Sequence, residues 1–167
     1  MQKILKKYFI SGFFFTSLLG TLFHFAYDFL GQFFLVGLFT PVNESIWEHL
    51  KLLYFPMLFF SLYAIPKLSA EYPCTAYGLS VGLLIGCLLI PMLYYTYSGI
   101  LGTHYAATDI AIYYICVLAA FFVAYRLTLS CKGRKLYPYL KLLLFLLTCA
   151  FILFTYMPPA LPFFQSP

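Results

Sequence analysis

The sequence predicts an all-α integral membrane protein built as a bundle of five transmembrane helices. The chain of 167 residues is 63% hydrophobic and only 9% charged. Its mean hydropathy of +0.91 is well above that of soluble domains, in which roughly half of the residues are apolar. Five apolar stretches, each near the roughly 20 residues that a spanning helix needs, alternate with short polar connections. We therefore expect a single transmembrane domain over residues 1–167.

The ends of the five helices are indicated by charge, Pro and Gly beside the apolar stretches. Lysines precede the first stretch, as they would in a signal peptide. This stretch is longer than the apolar core of a signal peptide, and it carries His24 and Asp28 where a cleavage site would need small residues. We expect it to be retained as the first helix. The predicted spans are about residues 9–30, 44–65, 77–97, 110–128 and 136–157.

The positions of Lys and Arg predict how the helices are oriented. Basic residues stay on the cytoplasmic side during insertion. They lie before span 1, between spans 2 and 3, and at the connection of spans 4 and 5: Lys3, Lys6, Lys7, Lys67, Arg126, Lys132, Arg134, Lys135 and Lys141. The other two connections, 31–43 and 98–109, contain no Lys or Arg. The N-terminus is therefore expected inside and the C-terminus outside.

The net charge of +5 follows from this topology, because anionic lipids of the inner leaflet attract basic residues beside the spans. Membrane lipids are accordingly the expected partners, and nucleic acid is not.

The histidines and most of the acidic residues lie near the predicted outer face. All three histidines and four of the five acidic residues belong to this group: His24, His49, His104, Asp28, Glu44, Glu48 and Asp109. Ionisable side chains at a membrane are costly, so a cluster of them is a candidate functional site. The ends of span 1, the start of span 2 and the connection before span 4 are expected to converge at one depth.

The stretch from Asn43 to His49 is the densest part of this group and contains the only tryptophan, Trp47. Asn43 fits a helix N-cap, and an acid such as Glu44 suits the first turn. Ser45 and His49 are spaced to share one helix face. Asp109 resembles an N-cap for span 4 in the same way. Lys51, three residues after Glu48, can neutralise it in an apolar medium.

Imidazoles and carboxylates together form the usual ligand set for zinc and related divalent metals. We expect His24, Asp28, His49 and His104 as ligands, and Glu48 as the general base on a metal-bound water. The supporting residues would be Asn43, Glu44, Ser45, Trp47, Lys51 and Asp109. The arrangement predicts a metal-dependent membrane hydrolase or lipid-modifying enzyme. It contains no diagnostic ligand spacing such as HExxH, so it depends on the predicted topology.

Three other interpretations use the same residues. A proton- or ion-coupled carrier or channel also places Glu, Asp and His inside a membrane. A haem or quinone site could use His24 and His49. A non-catalytic membrane protein would use the cluster only as a polar network.

Other segments predict structural features. Gly78, Gly82 and Gly86 form two GxxxG steps, which favour close helix packing within the chain or self-association into a homo-oligomer. The apolar connection 31–42 is expected to be re-entrant or an interfacial helix. No two cysteines lie on the predicted oxidising face, so disulfides are not expected. Residues 158–167 are expected to form an extended tail.

The segments HFAYDF (24–29) and PVNESIWEHLKLLYFP (41–56) resemble a family of small, uncharacterised bacterial multi-pass membrane proteins. The resemblance covers about a fifth of the chain and rests on the Asn-Glu-Ser-x-Trp-Glu-His motif. It implies a protein of the bacterial inner membrane and implies no particular activity.

Overall fold

The computed structural model describes residues 2–166, and none of these lies in a strand. The helices are α1 (Gln2–Phe29), α2 (Phe34–Gly37), α3 (Ile46–Leu68), α4 (Thr75–Leu101), α5 (Ala106–Ser130) and α6 (Tyr137–Tyr156), with 3-10 turns at Arg134–Leu136 and Pro162–Phe164. Among the described residues, five helices are long and apolar enough to cross a membrane: α1, α3, α4, α5, and α6 with its preceding turn. The predicted all-helical class is therefore confirmed.

The observed helices extend beyond several predicted boundaries. α1 begins at Gln2 instead of near residue 9, because lysine is a good helix former although it is not apolar. α4 continues to Leu101 and ends where Gly102 adopts a left-handed conformation with φ of 70°. α5 begins at Ala106, one turn before the predicted start. Hydropathy predicts the part of a helix that can lie in lipid. Helix propensity extends the helix beyond that part.

α3 is the central helix of the bundle. It packs against α1, α4 and α6, while α4 and α5 form the most extensive helix pair. Leu53, Tyr54, Phe55 and Met57 on α3 are at most 1% exposed. The hydroxyl of Tyr54 donates to the backbone oxygen of Leu144 on α6 at 2.8 Å, so this buried polar group is satisfied.

The two ends of the bundle differ in composition. The basic end comprises the starts of α1, α4 and α6 and the ends of α3 and α5, where most Lys and Arg lie. The opposite end, which we call the histidine end, contains the end of α1, the start of α3 and the connection from α4 to α5, with all three histidines. The elements that carry the candidate site residues thus meet at one end.

The glycine face of α4 is occupied within the chain. A Cβ atom at Gly82 would lie 2.3 Å from the backbone oxygen of Ala120 on α5, and one at Gly78 would lie 2.5 Å from that of Ala124. Gly86 faces Leu53 and Ala120. Of the two alternatives for this face, the structure has intramolecular packing. Self-association through the same glycines would require α5 to move away.

The expectation that the chain has no disulfide is wrong. Cys74, just before α4, and Cys131, just after α5, form one at the basic end. The prediction placed both cysteines beside cytoplasmic connections, where disulfides are rare, and did not consider their distance from each other. The antiparallel packing of two consecutive helices brings the start of one beside the end of the other, so residues 57 positions apart become neighbours.

The expected extended tail is also wrong for the described residues. After α6 the chain folds back and forms the turn Pro162–Phe164, which packs on α3. The rings of Phe163 and Phe164 lie 5.9 and 4.9 Å from that of Trp47. Burial of these aromatic rings stabilises a compact end in place of an extended one.

The close contact of α4 with α5 leads to a stability prediction. We expect Gly82→Ala to lower the melting temperature of the detergent-solubilised protein, because a methyl group against backbone cannot be relieved by side-chain rotation and such overpacking costs about 1–3 kcal/mol. Gly99→Ala is the matched control on the same helix, since among residues 2–166 no atom outside the adjacent helix backbone lies within 4 Å of a Cβ at Gly99. Equal melting temperatures for the two variants would contradict the packing described.

Candidate metal site and adjoining cavity

Three side chains at the histidine end form a group that could hold a metal ion. One ligand atom each from His24, Glu44 and His49 lies within 4.8 Å of the other two. The Nε2 atom of His49 is 3.3 Å from a carboxylate oxygen of Glu44, and the ring centroids of His24 and His49 are 5.3 Å apart. The last turns of α1, the segment before α3 and the first turn of α3 thus each supply one residue.

The local fold before α3 places Glu44 beside His49. Ser45 is the N-cap of α3, and its hydroxyl accepts from the backbone N–H of Glu48 at 3.3 Å. The side chain of Asn43 accepts from the backbone N–H of Ser45 at 2.9 Å and closes a turn. The predicted N-cap role of Asn43 is therefore wrong by two residues, since its side chain is used in the turn and the Ser45 hydroxyl caps the helix. Glu44 consequently precedes the helix and does not belong to its first turn.

The hydrogen bonds of the two histidines fit metal binding. His49 Nδ1 lies 2.9 Å from the backbone oxygen of Ser45. Because a carbonyl only accepts, Nδ1 carries a proton, and Nε2 faces the Glu44 carboxylate at 3.3 Å. A metal ion between Nε2 and Glu44 would take the place of the proton that this contact otherwise requires, with Nδ1 held as in a ligating histidine. His24 Nδ1 is buried and has no hydrogen-bond partner among the described residues. Buried polar atoms are rarely left unpaired.

The spacing of the group is close to that of a zinc site. Ligand bonds of about 2.0–2.2 Å in a tetrahedron imply ligand atoms about 3.4 Å apart. The His49–Glu44 separation of 3.3 Å already meets this value. The widest separation is at most 4.8 Å, so it would have to close by no more than about 1.4 Å to reach the tetrahedral value. Two imidazoles and one carboxylate also match a common catalytic zinc set.

Two members of the group, Glu44 and His49, line a cavity of about 320 Å³ between α3, α4 and α5. His104 and Asp109 also line this cavity, whereas His24 does not. The rest of the wall is largely apolar or aromatic and includes Leu52, Ile90, Ile112, Tyr94 and Tyr113. A molecule in this cavity would contact ionisable groups and apolar side chains together.

His104 pairs with Asp109 and lies outside the three-residue group. Its Nδ1 atom is 3.2 Å from one carboxylate oxygen of Asp109, and the hydroxyl of Tyr97 donates to the other. Asp109 lies in the first turn of α5, whose N-cap is Tyr105, so the N-cap role predicted for Asp109 is wrong. The carboxylate is turned towards His104 and Tyr97 and does not reach the helix start.

Asp28, another predicted ligand, is exposed and also lies outside the group. Its carboxylate accepts from the side-chain amide of Gln32 at 3.1 Å. His24 and Asp28 are one turn apart on α1, but only His24 reaches the bundle interior. The structure therefore brings Glu44 to the position expected for Asp28.

Glu48 and Lys51 form a buried ion pair on another side of α3. Their side chains are 2% and 0% exposed, and the Lys51 amine lies 2.7 Å from the Glu48 carboxylate. The same amine donates to the backbone oxygen of Gly37 at 2.9 Å and to the hydroxyl of Thr155 at 2.6 Å. The backbone N–H of Val42 donates to Glu48 at 3.0 Å. The pair thus joins α3, α6 and the connection that contains α2.

The position of Glu48 bears on its predicted role. Glu48 is not among the residues that line the cavity, and one of its carboxylate oxygens accepts from both Lys51 and Val42. The carboxylates and imidazoles that line the cavity are those of Glu44, His49, His104 and Asp109. A general-base role for Glu48 stays a prediction that this geometry does not support.

Trp47 contributes packing to this end of the bundle. It is 8% exposed, and its ring lies 4.6 Å from that of Phe151 on α6. Together with the contacts to Phe163 and Phe164, this places an aromatic cluster beside the ion pair. Trp47 holds α3, α6 and the C-terminal turn together and does not line the cavity.

Sequence reasoning missed Tyr97 and Thr155. Tyr97 supports Asp109, and Thr155 accepts from Lys51. Tyrosine is common at membrane interfaces, so Tyr97 gave no signal among 16 tyrosines. Thr155 is separated from Lys51 by 104 positions, and nothing local connects them.

A family profile matches the chain over residues 1–167, and its description is a family of unknown function, DUF6512. The chain belongs to this family. Membership confirms the predicted resemblance to an uncharacterised family; the motif and the bacterial origin are not addressed by the match and stay predictions. No curated protein and no solved structure matches the chain. The members of DUF6512 thus supply no activity, and the function has to be argued from the site.

The buried ion pair leads to a second stability prediction. We expect Lys51→Met to destabilise the protein by about 3–5 kcal/mol, because it leaves the Glu48 carboxylate buried without its counter-charge. The double variant Glu48→Gln/Lys51→Met should recover part of this loss. Melting temperatures in detergent would measure both effects.

Lys67→Met is the control for that experiment, since Lys67 lies on the same helix with an exposed amine that donates to the Tyr63 hydroxyl. If Lys51→Met and Lys67→Met melted together, the ion pair would not have the structural role assigned to it.

Proposed function

We propose that the protein is a metal-dependent membrane hydrolase, or a related lipid-modifying enzyme, with a divalent metal held by His24, Glu44 and His49. Zinc is favoured by the ligand types. The observation that carries the proposal is that one ligand atom from each of these residues lies within 4.8 Å of the other two, and that Glu44 and His49 line a cavity large enough for part of a substrate. Glu44 replaces Asp28 and His104 of the predicted ligand set.

A metal in such a site supplies a Lewis acid and lowers the pKa of a bound water. The protein's own contribution is to orient the ligands: the Ser45 carbonyl sets the tautomer of His49, and the turn closed by Asn43 holds Glu44 beside it. Both hydrogen bonds are local, so they are made before any substrate arrives. Preorganised ligands are what a catalytic metal site requires.

His104 is the candidate for proton transfer. Its Nδ1 faces Asp109 at 3.2 Å, which orients the ring and leaves Nε2 as the nitrogen that can exchange a proton. Asp109 is itself fixed by the Tyr97 hydroxyl. A carboxylate that orients a histidine is a recurrent arrangement in acid–base catalysis. The role first predicted for Glu48 is assigned to His104 in this proposal.

The composition of the cavity supports a lipid or lipid-linked substrate. Ionisable groups lie beside apolar side chains such as Leu52, Ile90 and Ile112, which suits a molecule with a polar head and an apolar chain. The cavity lies between helices that are long and apolar enough to cross a membrane, so such a molecule could approach from within the bilayer. The charge of the basic end favours a position inside, whereas the Cys74–Cys131 disulfide at the same end favours an oxidising compartment. We give the nine basic residues the greater weight, so that the site would face the outer leaflet of a bacterial inner membrane.

Elemental analysis of protein purified without chelators tests the metal site. We expect about one zinc ion per chain in the wild type and loss of the metal in His24→Ala and in His49→Ala, since each removes one of three ligands. His104→Ala should keep the metal, because His104 lies outside the group. Absence of a stoichiometric metal from the folded wild type would refute the proposal.

A turnover assay with fluorogenic phospholipids bearing ester or phosphodiester reporters tests the reaction class. We expect the metal-loaded protein in mixed micelles to release the reporter, and His104→Ala to lower kcat by on the order of 100-fold, the lower range for loss of an acid–base catalyst. His49→Ala should abolish turnover. Release that is equally fast in His49→Ala, or insensitive to chelators, would contradict metal-dependent hydrolysis.

A further inference from the structure

A second cavity lies far from the candidate metal site, near the basic end of the bundle. It is a groove of about 320 Å³ between α1 and α5. Its walls include Phe9 and Phe13 from α1, Phe121, Phe122 and Tyr125 from α5, and Lys6 at its basic end. No part of the proposed metal chemistry uses these residues.

The groove is formed by matching faces of two helices. Its residues on α1 recur at positions 6, 9, 10 and 13, and those on α5 at 118, 121, 122 and 125, which is the spacing of a single helix face. Gly12 allows α5 to come close, since a Cβ there would lie 2.5 Å from the Phe121 ring. Phe9 packs edge-on against Phe121 and Tyr125, with centroids 6.3 and 5.7 Å apart. The floor is therefore a fixed aromatic surface.

The position of the groove relative to the bilayer indicates what kind of molecule occupies it. α1 has 28 residues, about 42 Å of helix at 1.5 Å per residue, which exceeds the roughly 30 Å of hydrocarbon in a bilayer. Its first turns, including Lys6, accordingly lie at the level of the lipid head groups. From Lys6 to Phe13 the groove descends roughly 10 Å into the region of the acyl chains. Its outer rim is exposed, with Phe122 62% accessible.

The charge at the head-group end selects the kind of lipid. Lys3 and Lys7 flank Lys6 on α1, and Arg126 follows Tyr125 on α5 at the same end. Lys6 lines the apolar groove, and the other three cations lie within one helical turn of a groove residue along the chain. Basic side chains at this level contribute about 1 kcal/mol each to the binding of anionic lipids.

We propose that the groove between α1 and α5 binds an anionic phospholipid, with one acyl chain on the Phe9–Phe121–Tyr125 floor and the phosphate at Lys6. Lys6 is specific to this site because it is the cation that lines the groove. The other basic residues act through their general positive potential. This inference does not depend on the proposed metal site, which lies at the opposite end.

Native mass spectrometry of the detergent-solubilised chain, with phosphatidylglycerol or phosphatidylcholine of identical acyl chains, tests the proposal. We expect the wild type to retain one phosphatidylglycerol in preference to phosphatidylcholine. Lys6→Gln should weaken retention of phosphatidylglycerol about fivefold, the equivalent of about 1 kcal/mol. Lys135→Gln is the matched control, because Lys135 is an exposed cation of the same end that does not line the groove.

A second variant tests the apolar part. Leu118→Trp fills the groove from its exposed rim, where Leu118 is 57% accessible, and should lower retention of both lipids without loss of folding. Equal losses in Lys6→Gln and Lys135→Gln would overturn the proposal in favour of diffuse attraction. Equal retention of the two lipids by the wild type would overturn it too, as would a dimer that Leu118→Trp abolishes, since the occupant would then be a second copy of the chain.

Discussion

The buried pair of Glu48 and Lys51 is the interaction on which the histidine end of the bundle depends. An ammonium group and a carboxylate are costly to bury, and here the cost is offset because the amine also meets the oxygens of Gly37 and Thr155. The connection between α1 and α3 is also held by the Tyr156 hydroxyl, which donates to the backbone oxygen of Phe34 at 2.9 Å. Fixing this connection also fixes the chain just before α3, where Glu44 and the Ser45 cap set the geometry of the candidate metal site.

Hydropathy and the pattern of basic residues were enough to predict the five long helices and the end at which the ionisable residues gather. Both signals reflect whether a segment lies in lipid or in water, and this depends mainly on the residue types in that segment. The rotation of each helix was not predictable in the same way. Glu48 and His49 are adjacent and about 100° apart around α3, so His49 faces the cavity and Glu48 faces Lys51. The packing of α6 and of the connection that contains α2 determines this rotation of α3.

Side-chain competition explains the remaining differences within the site. Asn43 and Asp109 are both residue types that commonly act as an N-cap, but each has another partner. Asn43 accepts from the backbone N–H of Ser45, and Asp109 contacts His104 and Tyr97. Asp28 finds Gln32 one turn away. A short polar side chain takes the nearest available partner, and that partner depends on turns that are formed together with the fold. Residue type alone therefore identified the group of candidates more reliably than the role of each.

The α4–α5 pair is joined covalently at both of its ends. At the basic end Cys74 and Cys131 form a disulfide, and at the histidine end the four residues 102–105 connect the two helices. α4 and α5 therefore form a closed covalent ring whose two sides cannot separate far at either end. Entry of a molecule to the cavity on this side of the bundle then depends on side-chain movement and on α3, whose residues form the opposite wall.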